Sequence, residues 1–134
     1  MVSAPKTHQF KADIEFQLLL AQILIGVGRA RRGELLSARQ FINAFAMRHA
    51  LGLIRAWIAP VTGKENEEDD LNRFRRFEFQ YPGIGQTLAA LQQMDVEASA
   101  KELLRVIKSL GQDQLTQIQH SQIKVIVDRL GWEL

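Results

Sequence analysis

Hydrophobic residues recur every three or four positions along most of the chain, the spacing that places side chains on one face of an α-helix. The first such stretch predicts a helix over about residues 14–31, with Asp13 as its N-cap. Its central part, residues 16–27, is apolar in nearly every direction, so we expect this helix to be buried on most sides. It is shorter than the about 20 apolar residues that a membrane span needs, and two glutamines interrupt it.

A second long helix is predicted after Gly33, which interrupts the pattern. Its inner face is formed by six side chains at helical steps, Leu35, Ala38, Ile42, Phe45, His49 and Leu53. The helix is expected to end near Ala59, because Pro60 disfavours helical geometry in the residue before it. We interpret His49, on the apolar side, as a hydrogen-bonded histidine of the core or of its boundary and not as a catalytic base.

Residues 61–70 form the one long stretch that is predicted to be a loop. The loop contains Gly63 and an acidic run, Glu65, Glu67, Glu68, Asp69 and Asp70. A calcium loop needs ligands at alternating positions around a central glycine, and this run has neither feature. We therefore interpret it as a solvent-exposed loop whose last residues, Asp69 or Asp70, cap the next helix.

The rest of the pattern predicts shorter helices. One covers residues 71–80, one opens at Pro82, and one begins after Asp95 and ends at Gly111. Residues 112–134 contain a β-branched KVIV stretch, but a lone strand would have no partner, so we predict a helix that Gly131 ends. The predicted fold is all-α, a single domain over residues 1–134 with an N-terminal extension over 1–12. We expect an antiparallel up-and-down bundle of four main helices, with a short helix and a C-terminal helix.

The amino-acid composition excludes several classes of protein and of functional site. The 134 residues are 46% hydrophobic and 24% charged, which is ordinary for one globular domain. The absence of cysteine excludes a disulfide scaffold, a thiolate metal site and a cysteine nucleophile, and it is typical of a reducing compartment. The polar first ten residues contain no secretory signal. We therefore expect a cytoplasmic protein that does not bind membranes.

The charge is distributed unevenly. The first 60 residues contain eight basic and three acidic residues, a balance of +5 within a chain of net charge +2. This basic half is either a solvated helix face or a face that binds an anion. A nucleic-acid partner is not expected, because such proteins usually combine a larger positive charge with interleaved aromatic residues.

Catalytic motifs are missing. No Gly-x-Ser-x-Gly elbow is present, no two histidines have the spacing of a helical metal site, and both Gly-x-Gly pairs lack the third glycine of a phosphate loop. We therefore predict no catalytic residue, no metal and no cofactor. The remaining polar candidates for binding are Arg32, Glu34, Arg39, Arg73, Arg76 and Glu78. They either bind phosphate or carboxylate groups or form ion pairs that fix helix packing.

Two segments carry a family resemblance. The string RRGELLSARQFINAFAMRHALGLIRAW, with Arg32-Gly33-Glu34 and Ala38-Arg39, resembles the start of the helical C-terminal domain of minimal nucleotidyltransferases. The string NRFRRFEFQYPGIGQTLAAL is similar to a later part of such domains, through Arg76-Phe77-Glu78 and Tyr81-Pro82. The lincosamide and aminoglycoside nucleotidyltransferases are the familiar members, and the resemblance covers about residues 14–110.

The resemblance implies a left-handed up-and-down bundle that helps to form the acceptor pocket beside a catalytic αβ domain. That domain is recognised by a Gly-Ser pair and an Asp-x-Asp whose carboxylates hold magnesium. This chain has no Gly-Ser dipeptide, and its nearest acidic pair of that spacing, Asp13-Ile14-Glu15, lies at a predicted helix start. We therefore expect no enzyme but a substrate-binding-like module that acts with a separate catalytic subunit or as a homo-oligomer. The alternative is a structural bundle that buries its apolar face in a homodimer and has no nucleotide-related role.

Overall fold

The computed structural model describes residues 3–64 and 72–134, and it describes side chains from residue 11 onward. The elements are α1 (Ser3–Arg31), α2 (Leu35–Arg39), a π-helical segment (Gln40–Ala46), α3 (Met47–Trp57), α4 (Phe77–Gln80), α5 (Pro82–Leu91), α6 (Val96–Leu110) and α7 (Gln117–Leu130). The described residues include no strand, and the KVIV stretch lies in α7, so the predicted all-α class is confirmed. The acidic run of the predicted loop lies outside the described residues.

The first helix is longer than its pattern suggests. It begins at Ser3, inside the segment predicted to be an N-terminal extension, and not near residue 14. Pro5 falls in the first turn, where a helix tolerates proline because the N–H groups there have no intrahelical partner. Asp13 is therefore an interior residue of α1 and not its cap. Its carboxylate accepts a hydrogen bond from the side chain of Gln119 on α7, at 3.2 Å.

The core is built around α1, which packs against α2, the π segment, α3, α6 and α7. Its largest fully buried side chains come from α1, from the segment 40–57, and from α6 and α7, namely Phe16, Leu19, Ile23, Ile42, Met47, Leu53, Ile54, Leu103, Leu104, Ile107 and Ile123. Burying each large apolar side chain stabilises a fold by about 1.5–3 kcal/mol, so this cluster is the main source of stability.

One side of α1 is exposed, while most of residues 16–27 are buried or half-buried. Ile14, Leu18 and Ile25 are each 39–43% exposed. On a helical projection they lie opposite Leu19 and Ile23, which are fully buried. The fold of one chain therefore leaves part of the apolar surface of α1 exposed to solvent.

The second long helix has the predicted extent, but its middle part is π-helical and not α-helical. The backbone remains helical through Arg39 and Gln40 and again through Ala46 and Met47, so α2, the π segment and α3 form one continuous rod. The π turns were not predicted, because the hydrophobic spacing does not separate them from α-helical turns. They occur where α1 packs closely: a Cβ on Gly26 would lie 2.5 Å from Cδ1 of Ile42. Segments of π-helix are rare and frequently mark functional sites.

The short third helix is shorter than predicted. Residues 73–76 form turns, and only Phe77–Gln80 is helical. Arg76 has a φ of 65°, a left-handed backbone conformation that residues other than glycine seldom adopt. This conformation interrupts the predicted helix. The proposed caps Asp69 and Asp70 lie outside the described residues. Tyr81, which follows α4, donates its hydroxyl hydrogen to the carbonyl of Ile58 at 2.7 Å and so fixes α4 against the end of α3.

The residues predicted to begin or end α6 and α7 do so in the structure. The Asp95 carboxylate accepts from the backbone N–H of Ala98 and caps α6, which ends at Gly111 as predicted. Gly131 ends α7 in the left-handed conformation. Thr116 and Gln119 form a reciprocal capping box that had not been predicted.

In the described part of the chain, no helix combines the length and the hydropathy that crossing a membrane requires.

Candidate functional site

Two of the predicted binding residues, Arg32 and Glu34, meet at the corner between α1 and α2. Gly33 makes the turn with a φ of 83°, and the backbone N–H of Glu34 donates to the carbonyl of Arg29 at 2.9 Å. The Arg32 side chain then donates its Nε hydrogen to the Glu34 carboxylate at 3.1 Å, and both side chains are exposed. Glu34 also lies 3.9 Å from Nε of Arg29, so one carboxylate is shared by two arginines at this corner.

Arg39 does not join this corner. Its guanidinium donates to the backbone carbonyls of Met94 at 2.7 Å and Gln92 at 3.4 Å, and to the side chain of Asn43 at 2.9 Å. The last carbonyls of a helix have no intrahelical partner, and a cation nearby also offsets the negative end of the helix dipole. Arg39 therefore fixes the end of α5 against α2, which favours the packing interpretation for this residue.

Asn43, in the π segment, connects three elements and was not singled out by the sequence. Its side chain donates to the hydroxyl of Ser99 on α6 at 3.1 Å, and its carbonyl accepts from Gln92 at 3.3 Å. Ser99 is fully buried, so this bond satisfies a polar group inside the core. The available signal was an asparagine in an otherwise apolar helical face.

Arg73 takes part in the most buried charged cluster of the described residues. Its Nη1 lies 2.5 Å from Oε2 of Glu15 on α1, and it also donates to the carbonyl of Arg48 at 3.3 Å. The same Glu15 oxygen lies 3.3 Å from Nδ1 of His49 on α3. The side chains of Glu15, His49 and Arg73 are 14%, 10% and 26% exposed. We call these three residues the Glu15 cluster.

The Glu15 cluster holds a carboxylate in its charged form. Burial raises the pKa of Glu15, but the hydrogen bonds from His49 and Arg73, together with their charges, outweigh burial and lower that pKa below its ordinary value. An ionised carboxylate only accepts hydrogen bonds, so Nδ1 of His49 is the donor. The cluster therefore carries a fixed charge pair inside the fold.

A glycine makes room for this cluster. A Cβ on Gly52 would overlap Oε2 of Glu15 and would lie 2.7 Å from Nη1 of Arg73. His49 and Gly52 are three positions apart on α3, so they share the face that meets α1. His49 is buried, as predicted, but the sequence did not reveal its partners.

The last two predicted residues lie in the turn before α4 and on α4 itself. Arg76 is exposed at its left-handed turn, and Glu78 is exposed on α4. A Cβ on Gly85 of α5 would come within 2.8 Å of Cα of Glu78, so this region brings two backbones close together. The six predicted residues are therefore spread over the α1–α2 corner, the end of α5, the Glu15 cluster, the turn before α4 and α4 itself.

Two further basic residues of the first half, Arg31 and Arg55, also take part in packing. Arg31 forms two hydrogen bonds with Glu97 on α6, at 2.9 and 2.7 Å, and donates to the carbonyl of Leu130 on α7. The bond from Arg31 lowers the pKa of Glu97; burial opposes this, and a bond from Trp132 adds to it. Arg55 donates to the carbonyl of Arg73 at 2.9 Å. Arg31, Arg39 and Arg55 therefore each join separate elements of the fold.

Two cavities border α1, and Asp13 is among the residues that line the first of them. A cleft of about 270 Å³ lies between α1, α3 and α7, with Phe16, Trp57 and Leu115 among its lining residues. A wider groove of about 620 Å³ runs between α1 and α7 and is lined by no charged residue. Within the described ranges, no group of three or more His, Asp or Glu side chains is arranged to hold a metal ion.

Comparison with known proteins assigns no role to these residues. No family model matches the chain, and neither a curated protein nor a solved structure is significantly similar to it. The contacts and exposure of the described residues therefore carry the functional proposal.

Proposed function

We propose that this chain is a non-catalytic helical module, similar to a nucleotidyltransferase substrate-binding domain, that acts with a separate catalytic subunit. The observation that carries the proposal lies beside Arg32 and Glu34. Leu36 is 92% exposed and Leu35 is 56% exposed, at the start of α2. Two large apolar side chains held outward on a rigid helix, next to a charged pair, have the composition of a protein contact site.

A protein fits this corner better than a free phosphate does. Arg32 is already paired with Glu34, and Arg29 donates to Ser37 at 2.9 Å and lies over the ring of Phe41. A phosphate would have to displace these partners, and it would leave Leu36 in water. A partner with an apolar pocket would bury Leu36 and could use the charged pair as the polar rim of the interface.

The proposal includes the antiparallel up-and-down arrangement that the resemblance implies. Several contacts support it. Gly26, late in α1, faces Ile42, whereas Glu15, early in α1, meets His49, which is the pattern of an antiparallel pair. The bond from Arg31 at the end of α1 to Glu97 at the start of α6 supports the same relation for α1 and α6.

In this proposal the catalytic subunit supplies the chemistry. It would carry the Gly-Ser and Asp-x-Asp motifs and the magnesium ions that stabilise phosphoryl transfer, and this chain would supply a wall of the acceptor pocket. We also propose a cytoplasmic location, in keeping with the cysteine-free composition.

Size-exclusion chromatography tests the proposal. The chain is mixed with small proteins that carry Gly-Ser and Asp-x-Asp motifs, beginning with those encoded beside it. We expect a complex that the chain with Leu36→Glu does not form. The matched control is Gln86→Glu, which places the same charge on an exposed position of α5 and should leave the complex intact. No complex with any candidate, together with no nucleotide binding by calorimetry, would overturn the proposal.

A second function is favoured by a different observation. The exposed apolar side of α1, with Ile14, Leu18 and Ile25, suits a structural bundle that buries this face in a homodimer and has no nucleotide-related role. Light scattering at high protein concentration separates the two proposals, because only the second requires the chain to self-associate.

A further inference from the structure

We infer that two copies of this chain associate through the outward side of α1, with their α1 helices antiparallel and each packed beside α7 of the other copy. The inference rests on the second proposed function and names its surface and register. We call the outward residues Ile14, Leu18, Ala21, Ile25 and Gly28 the α1 stripe.

The α1 stripe has the spacing of a helix-pairing surface. Its residues follow one another at steps of four, three, four and three, a mean of 3.5, which is the repeat that keeps one helix in contact with another. Core residues of α1 lie on the opposite side, so the stripe is not needed for the fold of one chain. A helix that is apolar on opposite sides is expected to be covered on both.

The last helix widens this surface. Leu20 and Leu24 of α1 line the groove that runs between α1 and α7, and Ala21 belongs to both the groove and the stripe. On the α7 side, Ile118 is 72% exposed and Val125 is 63% exposed. These two side chains project from α7 beside the groove. The surface therefore has apolar side chains that could enter the groove of another molecule.

The polar groups of this surface are partly satisfied within one chain. The side chain of Gln17 donates to that of Gln122 across the groove at 2.9 Å. Burying these two amides in an interface costs less desolvation free energy than burying amides that have no hydrogen bond to each other.

Charge favours a second copy as the occupant. The stripe and the lining of the groove contain no charged residue, although 24% of the chain is charged. A strongly charged partner would find no complementary group here, whereas a second copy brings the same uncharged surface. Closed pairs of identical chains use one self-complementary patch of this kind.

The side chains match in size when the helices are antiparallel about Ala21. In that register Ile14 of one copy lies opposite Gly28 of the other, Leu18 lies opposite Ile25, and the two Ala21 residues meet. The small residues let the backbones approach, and each large one has space. A parallel pairing would place Gly28 opposite Gly28 and leave a gap.

The ends of the stripe are compatible with this register. Lys11 precedes the stripe by three positions and Arg32 follows it by four, so these two residues of different copies meet at each end. Arg32 is already paired with Glu34 at 3.1 Å, and that carboxylate offsets the repulsion from the incoming Lys11.

Sedimentation equilibrium of the full chain over a range of concentrations tests the inference. We expect a dimer that Leu18→Glu or Ile25→Lys weakens by at least about 100-fold, because each would bury an unpaired charge. The double variant L18E/I25K should restore the dimer, since the new carboxylate of one copy faces the new ammonium of the other. The control Gln86→Glu adds a charge elsewhere and should dimerise like the native chain.

A cross-link provides a second readout that does not depend on those variants folding. The chain has no cysteine, so Ala21→Cys introduces a single thiol. At the centre of an antiparallel pair, the two thiols are close enough for a disulfide to form on mild oxidation. Gln86→Cys, on α5, should not cross-link.

The outcomes distinguish this inference from the proposed function on which it rests. A monomer at every concentration overturns both. A dimer that survives the two single charge substitutions, or whose Ala21→Cys form does not cross-link, overturns the antiparallel α1 pairing but leaves self-association standing.

Discussion

At the residue scale, arginines of one chemical type serve different structural purposes. Arg31 and Arg39 donate to carbonyls near helix ends, and Arg73 neutralises a buried carboxylate. A planar guanidinium can bridge two acceptors at once, which suits it to joining elements. Arg32 pairs with Glu34 on an exposed corner. The identity of these residues as arginines could not have distinguished their structural roles.

Removing Arg73 should destabilise the fold more than removing an exposed arginine. Arg73→Ala would leave the Glu15 carboxylate buried with only His49 beside it, and we expect a loss of about 2 kcal/mol. Arg48→Ala, which removes an exposed side chain from α3, is the matched control and should change stability by less than about 0.5 kcal/mol. Urea unfolding at constant slope measures both. Equal losses in the two variants would contradict a special role for Arg73.

The Glu15 cluster should also make stability depend on pH. The pKa of Glu15 is lower in the folded chain than its ordinary value, so the unfolded state binds more protons at acid pH. The resulting stabilisation is fully present above the ordinary glutamate pKa and is lost as the pH falls through the folded one. Unfolding midpoints measured from neutral to acid pH should fall less steeply for Glu15→Gln than for the native chain. The control Arg48→Ala keeps the cluster and should keep the native slope; identical slopes for all three would rule out this linkage.

At the scale of elements, local signals were predictable and contacts between distant segments were not. Asp95 and Gly131 act within their own helix ends, and the sequence placed both. The π segment and the left-handed Arg76 depend on neighbouring helices. The same division applies to the candidate site. Arg32 and Glu34 are two positions apart, so their proximity was predictable. Glu15 meets Arg73 across 58 positions, which no spacing rule reveals.

The close contact between α4 and α5 predicts opposite effects for two glycines in one helix. A Cβ on Gly85 would come within 2.8 Å of the Glu78 backbone, so Gly85→Ala should destabilise the fold by about 1–3 kcal/mol. A Cβ on Gly83 would meet no atom within 4 Å, so Gly83→Ala should be neutral or stabilising by up to about 1 kcal/mol. Thermal unfolding of both variants checks this, and a stabilising Gly85→Ala would show that α4 and α5 are not held together there.

At the scale of the whole molecule, the two proposed surfaces adjoin without overlapping. The α1 stripe ends at Gly28, and the corner with Arg32, Leu35 and Leu36 begins four positions later. In an antiparallel pair, the two corners would lie at opposite ends of the paired α1 helices, each with Leu36 exposed. A dimer would therefore leave both corners free for partners, so pairing through the stripe is compatible with the binding of a catalytic subunit at the corner.

This arrangement predicts a definite stoichiometry with a catalytic subunit that binds the corner. The native chain should form a complex of two copies with two subunits, because each corner binds one. Leu18→Glu should reduce it to one copy with one subunit, since the stripe is disrupted and the corner is intact. Leu36→Glu should leave a dimer of this chain without the subunit. Light scattering coupled to size-exclusion chromatography measures all three masses. If Leu18→Glu also abolished subunit binding, or Leu36→Glu also abolished the dimer, the corner and the stripe would be parts of one surface.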